Sequence, residues 1–152
     1  MKNVLTVALT ALLAATSLQP GGTLNAAPLA THVTAGTVKV TVTYKGKAGT
    51  VDNSHQIWVW LFDTPNIGPG AMPIAQVSLT KNGADAVFEG VPGDKVYVAV
   101  AFDEKGVMAG DGPPPTGTPI AVLMGADMMP TGITPGDKGV ATLTFDDTMR
   151  MP

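Results

Sequence analysis

Glycine and proline interrupt this chain so often that no long helix has room to form. Of the 18 glycines and 13 prolines, 16 and 12 lie beyond residue 27, and no segment there repeats its apolar residues at helical spacing. Frequent turns between short extended runs are what a many-stranded sheet requires. Thr37 to Tyr44 supplies the clearest such run. Val38, Val40, Val42 and Tyr44 fall on one side and Thr37, Lys39, Thr41 and Thr43 on the other, the period of two that marks a half-buried strand.

The N-terminus obeys a different rule. Lys2 gives a basic start, Val4 to Leu18 is apolar or small without a charge, and small residues follow around Ala26-Ala27 and Leu29-Ala30. These are the three parts of a secretory signal peptide. The apolar stretch is shorter than the roughly 20 residues that cross a bilayer. We therefore expect a signal peptide over residues 1–27, cleaved between Ala26 and Ala30, and a periplasmic or secreted product. About 125 residues remain, a usual size for one domain. That length buries enough surface to fold without staples, and the chain contains no cysteine. Disulfides, thiolate metal sites and thiol catalysis are thereby excluded. An exported protein free of disulfides fits a bacterial periplasm or cell exterior.

Along the domain, expected over residues 33–147, six further strands follow the first. Ile57 to Phe62 is continuously apolar, so both its faces should be covered. Ala75, Val77 and Leu79 alternate with polar residues. Asn82-Gly83 then predicts a hairpin, because that pair accepts positive φ, with Ala84 to Glu89 returning. Lys95 to Phe102, Ile120 to Met124 and Gly139 to Phe145 complete the set, and residues 148–152 read as a loose tail. Proline-rich loops occupy 63–73 and 106–119. The expected fold class is all-β, a single seven-stranded antiparallel β-sandwich of immunoglobulin-like or transthyretin-like type.

The segment Phe88-Glu89-Gly90-Val91-Pro92-Gly93-Asp94-Lys95-Val96-Tyr97-Val98-Ala99-Val100 carries a resemblance. It is similar to the turn-and-strand of transthyretin-like modules, including the carboxypeptidase regulatory type. Asp103-Glu104-Lys105-Gly106 resembles the ending of that strand, and Gly36 to Val42 resembles the opening strand of such modules in bacterial exported proteins. The resemblance covers about a third of the mature chain. It implies a fold and a role as a binding or accessory module, and no chemistry.

Functional candidates are few. Nine basic against twelve acidic residues give −3, and scattered cations form no stripe for nucleic acid. Beyond the leader, His32 and His55 are the only imidazoles and Ser54 and Ser78 the only serines. No nucleophile, base and orienter assemble by spacing, so no catalytic residues are expected and the chain reads as a non-enzyme. Three other groups stand out. Trp58, Trp60 and Phe62 share one side of the second strand. If the aliphatic side turns inward, they form a platform for a protein or glycan, unless one face packs in the core and a proline-rich loop covers the other. Strands that run alternately up and down would bring Asp103, Glu104, Asp146 and Asp147 to one pole, with Asp111, Asp52 and His55 nearby. That pole could bind calcium, which takes six to eight oxygen ligands, or the carboxylates could simply cap turns. Finally, Met124, Met128 and Met129 cluster, as do Met149 and Met151; thioethers can take copper(I), though loop methionines are commonly gap-fillers. The leading expectation is an exported, non-catalytic binding or accessory module at the bacterial cell envelope that recognises a protein or glycan. The alternative is a periplasmic metal-binding protein, with calcium at the acidic pole ahead of copper at the methionines and no other cofactor.

Overall fold

A computed structural model describes residues 35–68, 70–110 and 112–152. The expected leader, its cleavage region, His32 and Asp111 lie outside the described residues. Seven strands are present: β1 Gly36–Tyr44, β2 Ile57–Phe62, β3 Ala75–Leu79, β4 Asp85–Val91, β5 Tyr97–Phe102, β6 Ile120–Val122 and β7 Val140–Phe145. No helix among the described residues is long and apolar enough to cross a membrane.

The strands form two sheets, one in the order β4-β1-β7 and the other in the order β3-β2-β5-β6. One apolar core lies between them. Val38, Val40, Val42 and Tyr44 of β1 meet Ile57, Val59 and Leu61 of β2 and Val98, Val100 and Phe102 of β5, with Phe88, Leu143 and Phe145 closing the set. Alternation selects these residues: each strand of a two-layer sandwich has one inward side. At one end the Tyr44 ring stacks on Phe102 with centroids 4.4 Å apart, and Phe145 tilts against it at 5.1 Å.

Two expectations about the sheets are corrected. The sandwich is not wholly antiparallel, because β1 and β7 pair in parallel from Lys39↔Val140 to Tyr44↔Phe145. Strands that alternate in direction leave the first and seventh pointing the same way, so placing them side by side forces that pairing. The Asn82-Gly83 turn is not a hairpin within one sheet. β3 pairs only with β2, and β4 only with β1, so residues 80–84 carry the chain from one sheet to the other. Gly83 does adopt positive φ, at 74°. The Asn82 side chain serves the ladder instead: its Oδ1 accepts from Tyr44 N at 2.8 Å and its Nδ2 donates to Tyr44 O at 2.8 Å. A carboxamide has the donor and acceptor of a peptide group, and here it extends the edge of β1 by one residue.

The C-terminal residues, expected to be loose, are tied down. Ile120 N donates to Met149 O at 3.0 Å, Met151 N to Thr118 O at 2.9 Å and Gly117 N to Met151 O at 2.8 Å. The chain leaving β7 thus crosses to the other sheet and pairs with the entry to β6.

Candidate functional site

Every odd-numbered strand ends at one pole. Ile57, which opens β2, pairs with both Leu79 of β3 and Phe102 of β5, and Tyr44 pairs with Phe145. The carboxylates following these strands do lie at that pole, but each is engaged by its own neighbours. Asp103, only 4% exposed, accepts from the backbone N–H of Val107 at 3.1 Å and of Met108 at 2.8 Å. It folds back the start of the loop that leaves β5. Asp146 accepts from the Thr148 side chain and, at 2.8 Å, from Thr148 N, and these bonds lower its pKa, the side-chain bond more strongly. Asp147 takes the Tyr44 hydroxyl and the Lys47 N–H, and these bonds hold its pKa below the ordinary value, the Tyr44 bond more strongly. Asp52 accepts from His55 N and Ser54 N at 2.8 Å each, and these bonds lower its pKa too.

Arg150 offsets part of the charge at this pole. Its guanidinium lies 3.2 Å from Glu104 Oε2 and 3.5 Å from Asp147 Oδ1, and it also donates to Gly117 O. One cation from the tail therefore bridges two of the candidate carboxylates. Among the described residues no three His, Asp or Glu side chains are grouped to hold a metal ion. Among the described carboxylates, the Asp103 oxygens face backbone N–H groups and those of Asp147 are already shared, which leaves neither open to calcium. Nothing was visible in the sequence to assign Arg150 this role, since it sits in what reads as a tail.

The aromatic side of β2 does turn away from the main core, as the outward alternative requires, yet it is covered. Trp60 is 5% and Phe62 7% exposed. They pack with Ala101 into a second apolar cluster, joined by Ile67 and Ala71 from the loop after β2 and by Met108 from the loop after β5. The expected Trp58/Trp60/Phe62 platform is therefore closed over. The loops are rich in proline and glycine because they must lie flat on a sheet face while keeping turn geometry. Trp60 Nε1 donates to Gln76 Oε1 on the adjacent β3 at 3.1 Å. Trp58 lies parallel to Trp60, 6.3 Å between centroids, and is half-buried. Its Nε1 is buried without an acceptor among the described residues.

Gly110 is the contact that seats the cover. Its φ is +85°, and a Cβ there would lie 2.7 Å from Trp58 Cη2 and closer still to Cζ3. Only a residue without a side chain lets the backbone lie on the ring. Asp103 begins this loop and Gly110 presses it down. Asp103 was legible as a turn aspartate, whereas no spacing distinguishes Gly110 from the glycines around it.

At the opposite pole, where β2 and β6 end, the loops expose apolar side chains. Met72 is 80%, Met128 79% and Met129 61% exposed, and Met124 and Ile74 are also open. Met124 to Pro130 forms a small turn closed by Gly125 N to Met129 O at 2.8 Å and Met128 N to Gly125 O at 3.1 Å. Met128 sits at φ 61°. His55 lies at the other pole, so it cannot share a copper site with these thioethers. His55 Nδ1 is 3.1 Å from Asp52 Oδ1, in an exposed turn. Ser54 enters the same turn through its backbone N–H. No protein-family model, curated protein or solved structure matches this chain.

Proposed function

We propose that this chain is a non-catalytic binding or accessory module of the bacterial cell envelope, and that its ligand is a protein. The observation that carries the reading is the exposure of Met72, Met128 and Met129 on loops at one pole, while the aromatic face is covered. Large apolar side chains held in water on loops at one end of a sheet favour contact with another surface. Unbranched thioethers adapt to an irregular partner. A glycan platform needs an open aromatic ring face, and Trp60 offers none. The leader read from the sequence supports export, and the transthyretin-like segment supports an accessory role.

The test is binding of the purified domain to solubilised envelope proteins, compared with a Met72→Ser/Met128→Ser/Met129→Ser variant. The expected result is saturable binding that the triple variant loses and that survives enzymatic removal of glycans. Absence of saturable binding, or binding indifferent to the three substitutions, overturns the reading.

A further inference from the structure

The two sheets have four edges, and three of them are shielded. β4 carries Asp85 and Glu89 and a register shift opposite Gly36 and Val38. β6 is three residues long, with the tail paired at its entry and Thr131 bonded to Leu123 just beyond its exit. β3 has Pro73 just before it and adjoins β4 at the corner of the sandwich. Charge, bulges, shortness and cover are the devices by which sheet edges avoid joining other chains.

The β7 edge has none of them. Val140-Ala141-Thr142-Leu143-Thr144-Phe145 holds no charge and no proline. Lys39 N donates to Gly139 O at 2.6 Å and Lys45 N to Phe145 O at 2.8 Å, so the odd-numbered residues of β7 turn their backbone groups to β1. Val140, Thr142 and Thr144 present theirs outward, and none is bonded to another described segment. Their side chains are exposed, Val140 to 63%. Beside the strand, between Val140–Thr142 and the segment from Thr131 to Pro135, runs an open groove floored by Leu123 and Ala141.

Charge at the two ends of this edge selects the occupant. Lys138 stands four residues before Thr142 and Asp146 four residues after it. Both are exposed, and neither makes an ion pair with another described residue. An antiparallel pairing of two β7 strands centred on Thr142 sets Val140 opposite Thr144 and brings each Lys138 to the other copy's Asp146 end. Residues 140, 142 and 144 would then exchange their free N–H and C=O groups across a two-fold axis, as an isologous interface requires. We infer that β7 is a self-association edge, through which a second copy of this chain extends the β4-β1-β7 sheet into a continuous six-stranded one. This edge adjoins the Met124–Pro130 turn but offers backbone groups of β7 rather than methionine side chains, so Thr142→Lys and the methionine substitutions test it and the proposed ligand separately.

Sedimentation equilibrium of the mature protein over a range of concentrations tests the inference. The wild type should associate to a dimer and no further. Thr142→Lys places like charges opposite each other at the centre of the pairing and should yield a monomer with an unchanged melt at low concentration. Lys138→Glu and Asp146→Lys should each weaken dimerisation about tenfold or more. Mixed together, these two proteins should pair, because both end contacts become attractive in the heterodimer. A wild type that stays monomeric, or a dimer indifferent to Thr142→Lys, overturns the inference. So does a mixture no more associated than its components, since it removes the register. Dissociation on adding an unrelated extended peptide to a Thr142→Lys-sensitive dimer would support the edge, because competition requires the same free backbone groups.

Discussion

Replacing Gly110 by alanine should strain the fold in two ways at once, through its backbone conformation and against the Trp58 ring. The left-handed conformation at this position costs a residue with a Cβ about 1–2 kcal/mol. The new methyl would also stand 2.7 Å or less from the Trp58 ring, and forcing such a group into a packed contact adds about 1–3 kcal/mol. The sum is about 2–5 kcal/mol, or a melting point lower by roughly 8–20 °C for a domain of this size. The loop can relieve part of the strain by lifting off the sheet, which would open Trp58 and Trp60 to water. Thermal melting and tryptophan emission together read both routes. The expected result is a lower melt with emission shifted to longer wavelength. Gly112→Ala is the control, because a Cβ there meets nothing within 4 Å and its φ is ordinary; it should change stability by less than about 0.5 kcal/mol. If Gly110→Ala matches Gly112→Ala in both readouts, the loop does not rest on Trp58 and the closed aromatic face is wrong.

Three further outcomes follow from the core and the acidic pole. Val98 is fully buried in β5, so Val98→Asp should leave the domain unfolded, since a buried unpaired carboxylate costs several kcal/mol; a soluble variant with a cooperative melt would show that β5 is not central. Burial, aided by the bond to Asp147, raises the Tyr44 pKa from 10.0 to about 12. A raised pKa stabilises the fold below pH 10, and that contribution is lost as the pH climbs from 10 toward 12. Stability in that window should fall less steeply in Tyr44→Phe than in the wild type, and equal slopes would refute the assignment. Calcium added to the chelator-treated protein should leave the melting point where it was, because Arg150 and backbone N–H groups already satisfy the pole. A rise of several degrees that Asp147→Asn abolishes would contradict this account and restore the metal-binding alternative.

How much of this was legible depends on whether a feature is local. The period-two runs of Thr37–Tyr44 and Ala75–Leu79 marked strands and their inward sides, because one face meets apolar side chains and the other meets water. The apolar run Ile57–Phe62 correctly implied cover on both faces. It could not say what the cover was, since that depends on loops distant in sequence meeting the sheet. Asn82-Gly83 shows the limit of a local signal: the dipeptide fixes a turn with positive φ, and whether the turned chain rejoins its own sheet or crosses to the other is decided by the core. Strand direction sufficed to bring Asp103, Glu104, Asp146 and Asp147 to one pole, while Asp111 lies outside the described residues. The bridge made by Arg150 is not visible in the sequence, because it reaches Glu104 and Asp147 only after the tail pairs with residues 117–120. The β7 edge was invisible as an edge, because strand order is a property of the whole sandwich.

The central claim is that the Trp60 face is closed and that the loop methionines are the contact surface. Hydroxyl-radical footprinting of the folded protein, with and without solubilised envelope proteins, addresses both halves in one experiment. The account predicts rapid modification of Met72, Met128 and Met129, little of Trp60 and Phe62, and protection of those methionines when the envelope proteins are added. Rapid modification of Trp60 in the free protein, or protection appearing at Trp58 and Trp60 while the methionines stay reactive, would contradict it and return recognition to the aromatic face of β2.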